Sequence, residues 1–153
     1  MNVAGSFLVA AAPEAVFRCI TDAALMARCV PGCEAIEPAS ETSYRAVVAV
    51  GLGGIHARFN LLVEITASTP PFEVLSKTRG EEGSRASMLA ADNRVQLVAV
   101  AAGTEVRYAS EVSITGRLGK FALGMMKKKV ESLGAEFANR FRHAIQQQTA
   151  TDA

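Results

Sequence analysis

The chain has no tryptophan, and its 153 residues include only two tyrosines, two histidines and three cysteines. An odd number of thiols does not make a disulfide framework, so reduced cysteines in a cytoplasmic protein are expected. Cys29 and Cys33 stand four apart, but Pro31-Gly32 lies between them and no histidine is near enough to complete a zinc set. These two and Cys19 read as small apolar packing residues. His56 and His143 have no acidic or nucleophilic neighbour in sequence, so surface positions are expected and a catalytic pair would require the fold to join them. There is no Gly-x-Ser-x-Gly elbow, phosphate loop or dinucleotide fingerprint. No apolar run approaches the ~20 residues that span a bilayer. The opening MNVAGSFLVAAAPE lacks a basic region and carries an acid at Glu14, which argues against a signal peptide. Repeats, low-complexity tracts and long linkers are also missing.

What remains is half hydrophobic and nearly neutral, with 16 basic against 15 acidic residues and a net charge of +1. A chain this long removes roughly 68–70% of its unfolded surface from water, enough for one domain with a sizeable core. Bulk charge favours no partner, and nucleic acid is not expected.

The order of periodicities sets the fold class. Val3–Val9 reads as a strand. Pro13 then stands where a helix favours its first residue, with Glu14 beside the positive end of the dipole. Asp22 is a candidate N-cap for a second short helix, which Pro31-Gly32 stops with a sharp reversal. Period two follows: in 57–66 the odd positions Ala57, Phe59, Leu61, Val63 and Ile65 form a core face. Residues 43–50 pair with this strand through a Gly51–Gly54 turn, and 72–79, 85–91, 94–100 and 104–115 continue the sheet. From about 119 to 148 the period becomes 3.6. The expected class is α+β, with about seven curved antiparallel strands against one long C-terminal helix and two short helices after the first strand.

Alternation places Phe72, Val74, Ser76 and Thr78 on the inner face of one strand, and Val106, Tyr108, Ser110, Val112 and Ile114 on that of another. A mostly apolar lining with a few hydroxyls suits an apolar ligand with a small polar head. Equally, the hydroxyls could bond to backbone or buried water in a filled core. On the long helix Leu123, Met126, Val130, Leu133, Phe137, Phe141 and Ala144 share one stripe, which should close over the sheet. Gly134 borders it, leaving room either for a ligand or for close packing.

Five of the fourteen residues in 117–130, RLGKFALGMMKKKV, are basic and none is acidic. Phe121 and Met125 lie off the core stripe, ringed by Arg117, Lys120, Lys127, Lys128 and Lys129. Such a patch is a candidate docking site for an anionic membrane surface or an acidic partner, unless Phe121 tucks into the mouth of a cavity. Either way, the segment reads as a rim.

The segments Ala12-Pro13-x-x-Val16-Phe17, then Asp22, Leu25 and Cys29-Val30-Pro31-Gly32-Cys33-Glu34, resemble the carbon monoxide dehydrogenase CoxG family of the START-like (SRPBCC) superfamily. Tyr44-Arg45-Ala46, Gly51-x-Gly53 and Arg58-Phe59 look like that family's first long hairpin. The resemblance implies a helix-grip domain over 1–148, with 149–153 a short disordered tail. It implies a cavity for a hydrophobic quinone or lipid, carried as cargo and not as a resident cofactor. It also implies association with a molybdenum hydroxylase such as carbon monoxide dehydrogenase and peripheral contact with the inner face of the membrane, and it does not imply catalysis, so with no catalytic motif present no enzyme is expected. An adaptor or maturation factor without cargo, or a small cyclase or dehydratase, are the alternatives. The expected cavity residues are Phe59, Leu61, Val63, Val74, Ser76, Thr78, Tyr108, Ser110, Val112, Met126, Val130, Leu133, Gly134 and Phe137.

Overall fold

A computed structural model describes residues 2–52, 54–83, 87–116, 118–120 and 123–152. For 52, 55, 120, 123–126 and 148–152 only the backbone is described. Strand β1 (Asn2–Val9) leads into helices α1 (Pro13–Ile20) and α2 (Ala23–Cys29). Strands β2 (Cys33–Pro38), β3 (Ser43–Leu52), β4 (Ile55–Thr69), β5 (Glu73–Glu82), β6 (Ser87–Val100) and β7 (Gly103–Gly116) follow. A single 3-10 turn (Leu118–Lys120) then precedes the long helix α3 (Leu123–Asp152). The strands form one seven-stranded antiparallel sheet in the order β1-β7-β6-β5-β4-β3-β2, so the chain meanders across the sheet and its first strand closes against its last.

Local chemistry fixes the helical connection. Pro13 takes the first position of α1 with Glu14 in the first turn. The Asp22 carboxylate caps α2 by accepting from the Leu25 N–H at 3.2 Å. Gly32 then reverses the chain at φ +80, and a Cβ there would overlap the Ala49 carbonyl oxygen, so the position requires glycine.

Two apolar clusters hold the ends of the interior. In the larger, Phe7, Val9, Val16, Leu25, Leu97, Val106, Phe141 and Ile145 join α1, α2 and α3 to the sheet, with Cys19 and Cys29 among them. Its aromatic centre is Phe7, Phe137 and Phe141, with ring centroids 5.8–6.3 Å apart. Arg142 lies over the Phe7 ring at 5.4 Å and donates to the Leu8 carbonyl at 2.8 Å, tying α3 to the edge strand. At the other end Ala57 and Phe59 pack against Leu118, which is 1% exposed. The fully buried Ser87 hydroxyl accepts from the Leu118 N–H at 3.0 Å, fixing the turn that carries it.

Several boundaries differ from the sequence reading, among them the start of α3, at Leu123 and not 119, and the end of β5, at Glu82 and not 79. Strand β6 runs unbroken through 92–93, where Asp92-Asn93 suggested a break. Phe72 is half exposed in the turn before β5, because alternation was extended one residue past the end of that strand. Finally, α3 continues to Asp152, beyond the expected stop at 148. Gln146, Gln147 and Gln148 sustain a helix, and no Gly or Pro stops it before Asp152.

Candidate functional site

Between the two clusters, α3 stands off the sheet and leaves a cavity of about 630 Å³. Its sheet wall follows the strand register. Tyr44, Val63, Thr78, Ala91 and Val112 occupy one row of cross-strand partners. The next row holds Ile65, Ser76, Asn93, Ser110 and Val3. A third carries Val74, Val95, Tyr108 and Gly5. From α3, Val130, Leu133, Gly134 and Phe137 complete the lining.

The middle row is polar across three adjacent strands. Asn93 donates to the Ser76 hydroxyl at 3.3 Å and to the Thr78 hydroxyl at 3.0 Å, and accepts from Ser110 at 2.8 Å. Both N–H bonds and one carbonyl lone pair of the amide are therefore used. Asn93 is among the members of this site that sequence reasoning missed, with Tyr44, Val95 and Met26. Asn is a turn residue by propensity, and its hydrogen-bonding partners are distant in sequence. The available signal was parity: an inner face running through Leu89, Ala91, Val95 and Leu97 includes position 93.

Tyr108 is set by two glycines. A Cβ on Gly5 would come within 2.6 Å of the Tyr108 Cζ, and one on Gly134 within 3.0 Å of its hydroxyl oxygen. The ring tip therefore fits between β1 and α3 where side chains would otherwise stand. Gly134 serves this aromatic packing. The Tyr108 hydroxyl has no hydrogen-bond partner among the described residues. Tyr44, half-buried on the opposite wall, has its phenol pushed above the ordinary value by burial, and secondarily by the neighbouring Cys33. Both tyrosines of the chain thus line the cavity.

The cavity reaches the surface between the α1–α2 junction and the β2–β3 hairpin, where Thr21, Pro38, Ser40, Glu41 and Thr42 are exposed. Glu41, at this mouth, is the one charged side chain among the described lining residues. The described residues contain no cluster of His, Cys, Asp or Glu that could hold a metal ion. His56 and His143 are both exposed, on β4 and near the end of α3.

Of the expected cavity residues, Val63, Val74, Ser76, Tyr108, Ser110, Val112, Val130, Leu133, Gly134 and Phe137 come together here. Thr78 meets the site through Asn93. Phe59 and Leu61 do not: they belong to the end cluster around Leu118, nearer the closed end of the sheet. The side chain of Met126 lies outside the described residues.

In the basic segment, Arg117 and Phe121 lie outside the described residues, as do the side chains of Lys120 and Met125. Lys127 and Lys128 are exposed and Lys129 is half-buried. Leu118 departs from the expected rim, since its apolar side chain is core. No helix among the described residues is long and apolar enough to cross a membrane.

Solved structures share this architecture. A conserved protein from Geobacillus kaustophilus superposes with a TM-score of 0.88 at 20% identity, over 96% of each chain. A START superfamily protein from Mycobacterium smegmatis gives 0.74 at 14% identity, covering 96% of this chain and 98% of that one. The ZhuI aromatase/cyclase from Streptomyces sp. R1128 gives 0.73 at 13% identity, over 97% and 95%. These likenesses establish the START-like helix-grip fold. No curated protein matches the sequence. The family model for CoxG, the G component of carbon monoxide dehydrogenase, matches residues 5–146, and the chain belongs to that family.

Proposed function

We propose that this protein is a non-catalytic carrier. It holds a hydrophobic molecule with a small uncharged polar head, a quinone or a similar lipid, between α3 and the sheet. The carrying observation is the cavity itself: about 630 Å³, walled by aliphatic side chains and crossed midway by Ser76, Asn93 and Ser110. Its volume falls in the range of small-molecule sites, and each CH₂ of a tail taken out of water contributes roughly 0.8 kcal/mol. An adaptor without cargo would have no use for such a space. Among the described residues the lining supplies no histidine, and no carboxylate beyond Glu41 at the mouth, which favours carriage over cyclase or dehydratase chemistry.

The family's name, that of a carbon monoxide dehydrogenase component, supports pairing the carrier with a molybdenum hydroxylase of that kind. In this reading a cytoplasmic protein visits the inner face of the membrane and that enzyme in turn. The basic segment 117–129, with Lys127 and Lys128 exposed, supplies the contact. At about 1 kcal/mol per basic residue near an anionic surface, such contact is weak and reversible. Native mass spectrometry of protein expressed in a quinone-producing host is expected to show a bound lipid or quinone. No copurified lipid together with no measurable quinone affinity would overturn the proposal.

A further inference from the structure

The face of the sheet turned away from α3 carries a hollow of about 500 Å³, separate from the cavity described above. One row of cross-strand partners runs along it: Arg45, Leu62, Arg79, Ala90 and Ser113. Adjacent strands lie about 4.8 Å apart, so the two arginines flank Leu62 with their backbones about 10 Å from each other. Both are exposed, and neither makes a hydrogen bond or ion pair with a described residue. The other four lysines and arginines described on this face each meet a carboxylate: Arg58 with Glu34, Lys77 with Asp92, Arg94 with Glu73, and Arg107 with Glu105. Glu37 stands opposite Arg45 on β2, yet no ion pair forms between them. Between and beside the two unmatched cations the floor is apolar. Leu62 is 38% exposed, and Met88, in the next row, 51%.

We infer that this hollow is a docking site for a protein segment that carries one carboxylate among apolar side chains. The carboxylate fits between Arg45 and Arg79, whose guanidinium forks each donate to it, while its apolar neighbours cover Leu62 and Met88. Arginine and methionine are residues that the centres of protein interfaces favour. The surrounding charge selects for a single acid. The row on one side holds Glu64, Lys77, Asp92 and Glu111, and Glu81 lies in the row on the other. A flat anionic membrane, or a densely acidic partner, would meet those carboxylates as well and be repelled. The inference is independent of any cargo, and the surface it names is distinct from the basic segment 117–129.

The test pans a phage-displayed library of short random peptides on the protein, with counter-selection on the Arg45→Glu, Arg79→Glu double variant. Enrichment of peptides with one Asp or Glu among apolar residues is expected. Fluorescence anisotropy with an enriched, labelled peptide then gives the affinities. Arg45→Glu and Arg79→Glu should each weaken binding about tenfold. Leu62→Ser, or the peptide with its acid changed to the amide, should weaken it several-fold. Arg45→Gln and Arg79→Gln, which remove the charge without reversing it, should also weaken it several-fold and stand in for any reversal that fails to fold. Binding of a decyl-substituted benzoquinone should be unchanged in all of these, so failure here leaves the carrier intact. No enrichment, or enriched peptides whose binding ignores both arginines, would overturn the inference. Binding to phosphatidylglycerol vesicles that is lost in the double variant would overturn it in favour of a membrane. A dimer in sedimentation velocity that needs the arginines would overturn it in favour of a second copy of the chain.

Discussion

The hydroxyl oxygen of Tyr108 lies 3.0 Å from where a Cβ on Gly134 would stand, so the two positions are coupled across the gap between β7 and α3. Alanine at 134 gains helix propensity of about 1 kcal/mol but must push the phenol aside. Gly134→Ala is therefore expected to be more favourable in a Tyr108→Phe background than in the unmodified protein. A double-mutant cycle by urea denaturation measures the difference, and strict additivity would show that the two do not touch. Gly5→Ala meets the ring itself, 2.6 Å from Cζ, and should cost about 1–3 kcal/mol in either background.

Phe141 and Phe137 are stacked neighbours on α3 with different duties. Phe141 is 0% exposed, and Phe141→Ala should cost about 3–5 kcal/mol in thermal or chemical denaturation. Phe137 also lines the cavity, so Phe137→Leu is expected to cost less stability and to weaken binding of a hydrophobic probe more than a matched Phe141→Leu does.

Ser87→Ala removes the acceptor for the Leu118 N–H within a fully buried contact. A loss of about 1–3 kcal/mol is expected, because the donor is stranded without water. An unchanged denaturation midpoint would mean that solvent reaches this end of the sheet.

Burial raises the Tyr44 phenol, so the folded state holds that proton more tightly than the unfolded chain does. The resulting stabilisation is fully present below the ordinary tyrosine value near 10 and is lost as pH rises through the higher folded value. Unfolding free energy should therefore fall above about pH 10, and fall less steeply in Tyr44→Phe. Absorbance near 295 nm, which reports tyrosinate, follows the same titration directly.

Much of the architecture could be read from alternation and punctuation. The odd positions of β4, Pro13 at the start of α1, the Asp22 cap and the reversal at Gly32 are all local signals, and local signals survive folding. The helix residues Val130, Leu133, Gly134 and Phe137 follow from a period of 3.6 alone. The belt was harder to see. Asp92-Asn93 looks like a turn because both residues compete with ladder bonds in an isolated chain. In the folded sheet the Asn93 amide is satisfied by Ser76, Thr78 and Ser110, while Asp92 points outward towards Lys77 at 3.9 Å, so pairing overrides propensity. Phe59 and Leu61 share the inner face with the cavity residues. Their assignment to the end cluster depends on how far along the strand Leu118 returns, which periodicity does not encode.

Because Asn93 stands on the sheet wall between the Phe59–Leu118 end and the Phe7–Phe141 end, a cargo of the proposed kind anchored there would have its depth fixed from the middle. On that reading a longer tail would not sink further, and its extra carbons would emerge past Ser40 and Thr42. One cavity would then take a homologous series of unequal lengths, and affinity should level off once the tail reaches the lip. The overhang is what a receiving surface would touch first.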